Sequence, residues 1–148
     1  SFGREGALRS PEYRATNVGF GLSYVLPVLA ALLAAPREGL VLIENPEAHL
    51  HPRGQTKIGE LCARAAAAGV QVIIETHSDH VLDGCRLAVR DRLLERDDIV
   101  FHYLQQVDGQ AFRASPTIDD EGRLSEWPEG FFDQHRRNAA RLARPRRS

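Results

Sequence analysis

Leu40-Val41-Leu42-Ile43-Glu44-Asn45-Pro46-Glu47-Ala48-His49-Leu50-His51-Pro52 is the stretch that decides the fold of this 148-residue chain. Four apolar residues run straight into a carboxylate, and a proline, a second carboxylate and two histidines follow. An uninterrupted apolar run of this length predicts a fully buried strand that carries its acid at the C-terminal tip. Open α/β sheets bind their ligands along that edge.

A carboxylate at the end of a buried strand is costly unless something pairs with it. A magnesium ion held through water beside nucleotide phosphates is one solution, and it makes Glu44 a candidate metal residue. The plainer alternative is that Glu44 caps a helix or pairs with an arginine.

Pro52 or Arg53 opens a helix predicted to reach about Ala68, with Ile58, Leu61, Cys62, Ala65 and Ala66 on one stripe and Gly69 as its terminating glycine. Val70 to Glu75 is rich in β-branched residues and reads as a second strand. Strand, helix and strand in some 35 residues imply a right-handed crossover with the two strands parallel. The second strand runs into Glu75-Thr76-His77-Ser78-Asp79-His80, and because parallel strands share a C-terminal edge, His77 is expected near Glu44 and Glu47. Ser78 or Asp79 can cap a following helix that runs to about Leu94, with Val81, Leu82, Cys85, Ala88 and Val89 inward.

Upstream of the central strand, Asn17 to Pro27 holds Gly19, Gly21 and Ser23 ahead of an apolar helix. Glycines and a serine there leave backbone N–H groups uncovered at the positive end of the helix, which suits a phosphate. A plain glycine turn with Ser23 as N-cap is the alternative, and Pro27 places a missing hydrogen bond in the first turn or moves the helix start later. Residues 1–16 are polar, Arg-rich and without period.

Downstream, Asp98 to Gln106 reads as a third strand, and Asp108-Gly109 signals a hairpin into Ala111 to Ser115. Asp119, Asp120, Glu121 and Gly122 make an acidic turn with too few alternating ligands for a calcium loop. Trp127, Phe131 and Phe132 form an aromatic clasp, and Asp133 to Ala143 is helical. The tail from Gln134 holds six arginines and no acid, so a chain of net charge −1 has a body, residues 1–133, at −7. Such a tail fits either a solvated end or a nucleic-acid contact.

With 43% hydrophobic and 26% charged residues, the composition is that of a soluble globular chain. Ala15 to Pro36 has no charge, but its strongly apolar part, Val25 to Ala35, is too short for about 30 Å of hydrocarbon. Cys62 and Cys85 sit on the inner sides of predicted helices, as buried free thiols of a reducing compartment, which points to the cytoplasm. Without a methionine at Ser1 or elsewhere, the sequence is expected to be the C-terminal part of a longer polypeptide.

Leu40 to Pro52 together with Glu75-Thr76-His77-Ser78 resembles the Walker B, D-loop and switch-histidine region of ABC-type AAA ATPases, the SMC-, RecF- and OLD-like group. Asn17 to Pro27 is similar to their signature segment. The likeness is strongest to a subgroup with the ENPEAHLHP wording and a short terminal domain of unknown function. It spans roughly Asn17 to Gln134. It implies an α/β fold, a partial P-loop NTPase lobe of parallel strands flanked by helices, followed by a C-terminal hairpin and terminal helix. The implied division is 1–16 as an N-terminal edge, 17–106 as the ATPase lobe and 107–148 as a small basic-tailed domain.

The resemblance also implies roles: Glu44 for magnesium, His77 for the γ-phosphate or attacking water, Gly19, Gly21 and Ser23 for the γ-phosphate of a nucleotide held on the partner subunit, and His49 as a further nucleotide-binding residue. ATP and Mg2+ are then the ligands, and a homodimer closed around nucleotide is part of the mechanism, with DNA or an effector protein as a further partner and no membrane. The sequence departs from the family in two places. Asn45 stands where many relatives have a water-orienting glutamate, leaving Glu47 as a substitute base, and an amide cannot take a proton. No G-x-x-x-x-G-K-[ST] loop occurs, so this stretch alone is expected to hydrolyse ATP negligibly.

Two readings from other classes compete. His49, His51, His77 and His80 with Asp79 form the donor set of a metal-dependent hydrolase. Alternatively, the C-terminal region and tail are a non-enzymatic module that docks a protein or nucleic acid.

Overall fold

The computed structural model describes residues 20–107 and 109–144. The edge segment 1–16, Asn17, Gly19, Asp108 and the last four residues of the tail lie outside them. In chain order the elements are α1 (Phe20–Ala34), β1 (Leu40–Glu44), α2 (Pro52–Ala67), β2 (Gln71–Glu75), α3 (Asp79–Arg90), a 3-10 turn (Arg96–Asp98), β3 (Tyr103–Val107), β4 (Gln110–Ala114) and α4 (Gln134–Leu142).

The β1-α2-β2 crossover is present and its strands are parallel, in the register Leu40 to Gln71 through Glu44 to Glu75. Helix α2 begins with Pro52 at its first turn, where a missing N–H costs nothing, and stops at Ala67. Gly69 follows with φ 90°, the left-handed conformation a terminating glycine supplies. The stripe read from the sequence packs inward: Ile58, Cys62 and Ala65 are buried with Val41, Ile43, Leu32 and Val70.

Full burial of β1 does not hold. Val41 and Ile43 face the helices, whereas Leu40 and Leu42 are 56% and 68% exposed and Ile73 of β2 is 52% exposed. The reason is the layer count. The parallel sheet has two strands among the described residues, and the helices pack against one of its faces.

Helix α1 also departs from expectation. It already includes Phe20, so Gly21 and Ser23 lie within its opening turns instead of in a loop ahead of it, and Pro27 is internal. A Cβ on Gly21 would stand 2.8 Å from the His49 carbonyl oxygen. The glycine is needed for close approach of the helix to the turn after β1.

Helices α2 and α3 cross with their backbones nearly touching. A Cβ on Gly59 would overlap the Val81 carbonyl oxygen, and one on Gly84 would overlap that of Thr56. Cys62 and Cys85 are buried in this interface, and the Cys85 thiol donates to the Gly59 carbonyl at 3.6 Å. Helix α3 ends at Arg90 rather than near Leu94, because Arg92 turns into the left-handed region with φ 57°.

The third strand begins later than the sequence suggests. Arg96–Asp98 is a 3-10 turn, and Tyr103–Val107 pairs antiparallel with Gln110–Ala114 as a separate hairpin. Beyond it, Asp119 organises the acidic turn: its Oδ1 accepts from the backbone N–H of Glu121 at 3.0 Å and of Arg123 at 2.7 Å. Ile118 from this turn packs with Ala63, Ala88, Val89 and Leu94. Arg86 of α3 locks the contact by donating to the Gly122 carbonyl at 2.7 Å while lying over the Trp127 ring at 5.6 Å. Trp127, Phe131, Phe132 and Tyr103 form the aromatic clasp around buried Phe131. No helix among the described residues is long and apolar enough to cross a membrane.

Two predictions follow from the crossing. Gly84→Ala must force α2 and α3 apart, at a cost of about 1–3 kcal/mol, read as a lower midpoint in urea. Burial pushes both thiols from the usual 9.0 up to about 12. Because the folded state disfavours the thiolates, their contribution to stability is complete below pH 9 and is lost as the pH rises toward about 12. Urea midpoints measured across that range should therefore fall, and the fall should shrink in a Cys62→Ala, Cys85→Ala double variant.

Candidate functional site

The parallel register brings two strand tips together. Glu44 and Glu75 are direct register partners, both exposed and both on the face opposite the helices. Neither side chain takes a hydrogen bond or ion pair among the described residues, so within them Glu44 neither caps a helix nor pairs with an arginine. Two neighbouring carboxylates repel one another, and their hard oxygen donors suit a cation such as magnesium. The donor chemistry fits that ion, with Glu44 as the sequence-predicted residue and Glu75 as the one that only the register reveals.

Beyond the tips the chain turns sharply. The Asn45 N–H donates to the Glu75 carbonyl at 2.9 Å and extends the ladder by one rung. Asn45 and His49 both have positive φ, 46° and 62°, conformations that a non-glycine residue holds only when its surroundings impose them. Ala48 N–H donates to the Asn45 carbonyl, Leu50 N–H to the Glu47 carbonyl, and Pro46 is buried beneath the turn.

Glu47 reaches across to β2. Its Oε2 accepts from the Thr76 hydroxyl at 2.7 Å and its Oε1 from the His77 backbone N–H at 2.8 Å. The Thr76 Oγ1 in turn accepts from the Ser78 N–H at 3.1 Å. Buried Ser78 caps α3, accepting from the His80 and Val81 N–H groups, and its hydroxyl donates to the Gln55 Oε1 at 2.6 Å. Gln55 closes the circuit by donating to the Leu50 carbonyl at 2.8 Å. The imidazole of His77 is exposed at the rim of this network.

The start of α1 completes the neighbourhood. Gly21 abuts the His49 carbonyl, and the Tyr24 ring lies 4.9 Å from that of His49. Thus Glu44, Asn45, Glu47 and His77 meet at the strand tips, and Gly21 and His49 meet one turn away. Gly19 lies outside the described residues.

The histidine metal centre is not formed. The His51 Nδ1 accepts from the Arg53 N–H at 3.3 Å and caps α2, His49 lies against Tyr24, and His80 sits 3.8 Å from Asp79. Among the described residues no three His, Cys, Asp or Glu side chains converge on a metal position. Local capping and ring contacts have drawn these side chains in different directions.

Sequence reading missed Thr76, Gln55 and the positional value of Glu75. Thr76 and Gln55 matter through contacts separated by 29 and 23 residues in the chain, for which no local pattern exists.

A parallel β-α-β unit whose two strand tips present acids, an amide and a histidine on one edge defines a partial P-loop NTPase lobe. More particularly, the chain belongs to the family described as AAA domain, putative AbiEii toxin, Type IV TA system, which matches residues 8–83, just over half of its length. Residues 94–142 match a second family, described as a protein of unknown function, DUF3696. No curated protein and no solved structure matches the chain. An AAA domain is a nucleotide-binding ATPase domain, which sets the class of chemistry.

Replacing Ser78 with Ala removes the cap of α3 and the Gln55 contact together. A loss of about 1–2 kcal/mol is expected in urea unfolding, with the largest rise in amide exchange in the first turn of α3.

Proposed function

We propose that this chain supplies the signature, Walker B and switch-histidine half of a composite ATP-hydrolysing site of the ABC type. The observation that carries this reading is the in-register meeting of Glu44, Asn45 and Glu75 with His77 at one edge of a parallel sheet. Glu44 would hold magnesium, which would supply positive charge beside the β- and γ-phosphates. Asn45 orients the attacking water through its amide, and His77 contacts the γ-phosphate or that water. Gly19, Gly21 and Ser23, as the signature segment, and His49, which Gly21 approaches closely, serve a nucleotide bound to a second copy, so the active form is a homodimer closed around ATP.

The lobe extends over 17–106, and 107–148 is a smaller domain attached through Arg86. The single lysine of the sequence, Lys57, follows Thr56 and lies within α2, so the phosphate-binding loop comes from another polypeptide segment. DNA transactions and phage defence are the processes that such a site serves in the similar group. Of the tail arginines, Arg137 is tied to Glu129 and Asp133 at 2.8 and 2.7 Å, which weakens the reading of this region as a nucleic-acid grip.

The test uses the chain joined to the segment that carries its phosphate loop. His77→Ala should abolish ATP turnover while nucleotide affinity changes little, and Glu44→Gln should remove the magnesium dependence of binding. Retained turnover in His77→Ala would sink the assignment. The chain by itself should release no phosphate from ATP.

A further inference from the structure

We infer that Glu47 is a positioning residue, not a base: its carboxylate latches the switch histidine to the turn that carries Asn45. This rests on the functional reading above. The β1–β2 ladder ends at the Asn45 to Glu75 rung. Thr76 and His77 lie past it, so the sheet does not hold them against the turn. Glu47 does, with one oxygen on the Thr76 hydroxyl and the other on the His77 N–H.

The chemistry of the latch requires a carboxylate. Two donors converge from β2 on two oxygens, and an ionised carboxylate is an acceptor at both. Hydrogen bonds to an ionised acceptor are also the stronger kind. A glutamine would turn its NH2 toward a donor in either orientation. A proton taken from water at Glu47 would weaken both bonds and release His77 as the reaction proceeds, which is why the arrangement suits a fixed strut and not a base.

The turn needs such a strut. Asn45 and His49 occupy left-handed backbone conformations at its two ends, and Gln55 supports it from α2 through the Leu50 carbonyl and Ser78. Glu47 therefore sets the separation between the amide that orients water and the imidazole that meets the phosphate. Misplacing a reacting group by about 1 Å costs roughly a hundredfold in rate.

Two measurements test the latch. In the chain itself, NMR should find the His77 amide protected, and Glu47→Gln should raise its exchange rate roughly ten- to hundredfold, the range for losing a bond to a charged group. Unchanged exchange would overturn the latch. In the protein that includes the phosphate loop, Glu47→Gln and Thr76→Val should lower kcat about a hundredfold and tenfold respectively. Nucleotide affinity should stay within a factor of about two, well inside one hydrogen bond's worth, and Thr76→Ser should restore kcat. The acidic limb of the kcat profile should keep its position in Glu47→Gln; its disappearance would make Glu47 the base and overturn the inference, as would full turnover in a variant with a freely exchanging His77 amide. If the native protein turns over no ATP, the ATPase reading falls, and amide exchange alone still decides whether the latch exists.

Discussion

The close crossing of α2 and α3 at Gly59 and Gly84 is the constraint on which the rest of this structure depends. A single β-carbon at either position would run into the opposing backbone, so the two helices approach as closely as main chains allow. That approach carries Gln55 on α2 to the Ser78 hydroxyl at the start of α3. Through Ser78 it reaches Thr76, and through Thr76 the Glu47 carboxylate. A packing decision between two glycines thereby sets the geometry of polar groups two turns away.

The same crossing explains how the C-terminal region is attached. Helix α3 presents Val81 and Cys85 to α2, while Ala88 and Val89 join Ile118 in a second buried cluster. Arg86 projects from the same helix to the Gly122 carbonyl, which lies where a side chain on that glycine would collide with the Arg86 backbone. One helix therefore touches the polar network at its N-terminus and the DUF3696 region along its length.

Much of this was legible beforehand, for local reasons. The apolar run of β1, the β-branched run of β2 and the 3.6-residue stripe of α2 each have one compatible period, and the crossover rule then orients the strands. Ser78 as a cap and Gly69 as a stop are properties of those residues and their neighbours. The misreadings share a cause. The burial of β1 depends on how many layers surround it, the value of Gly21 lies in its close approach to the His49 carbonyl, and the fate of the histidines depends on Tyr24, Arg53 and Asp79 as nearer partners.

The sequence by itself determined the parallel crossover, the acidic and imidazole character of one sheet edge and the residues capable of metal and phosphate chemistry, because periodicity and side-chain chemistry are carried by short segments. Only the tertiary structure decided that Glu75 is the partner of Glu44, that Glu47 is occupied by Thr76 and His77, and that the histidines point apart. Those facts arise from register and from contacts between residues some thirty positions apart, which packing of α2 against α3 and the sheet creates and no local pattern encodes.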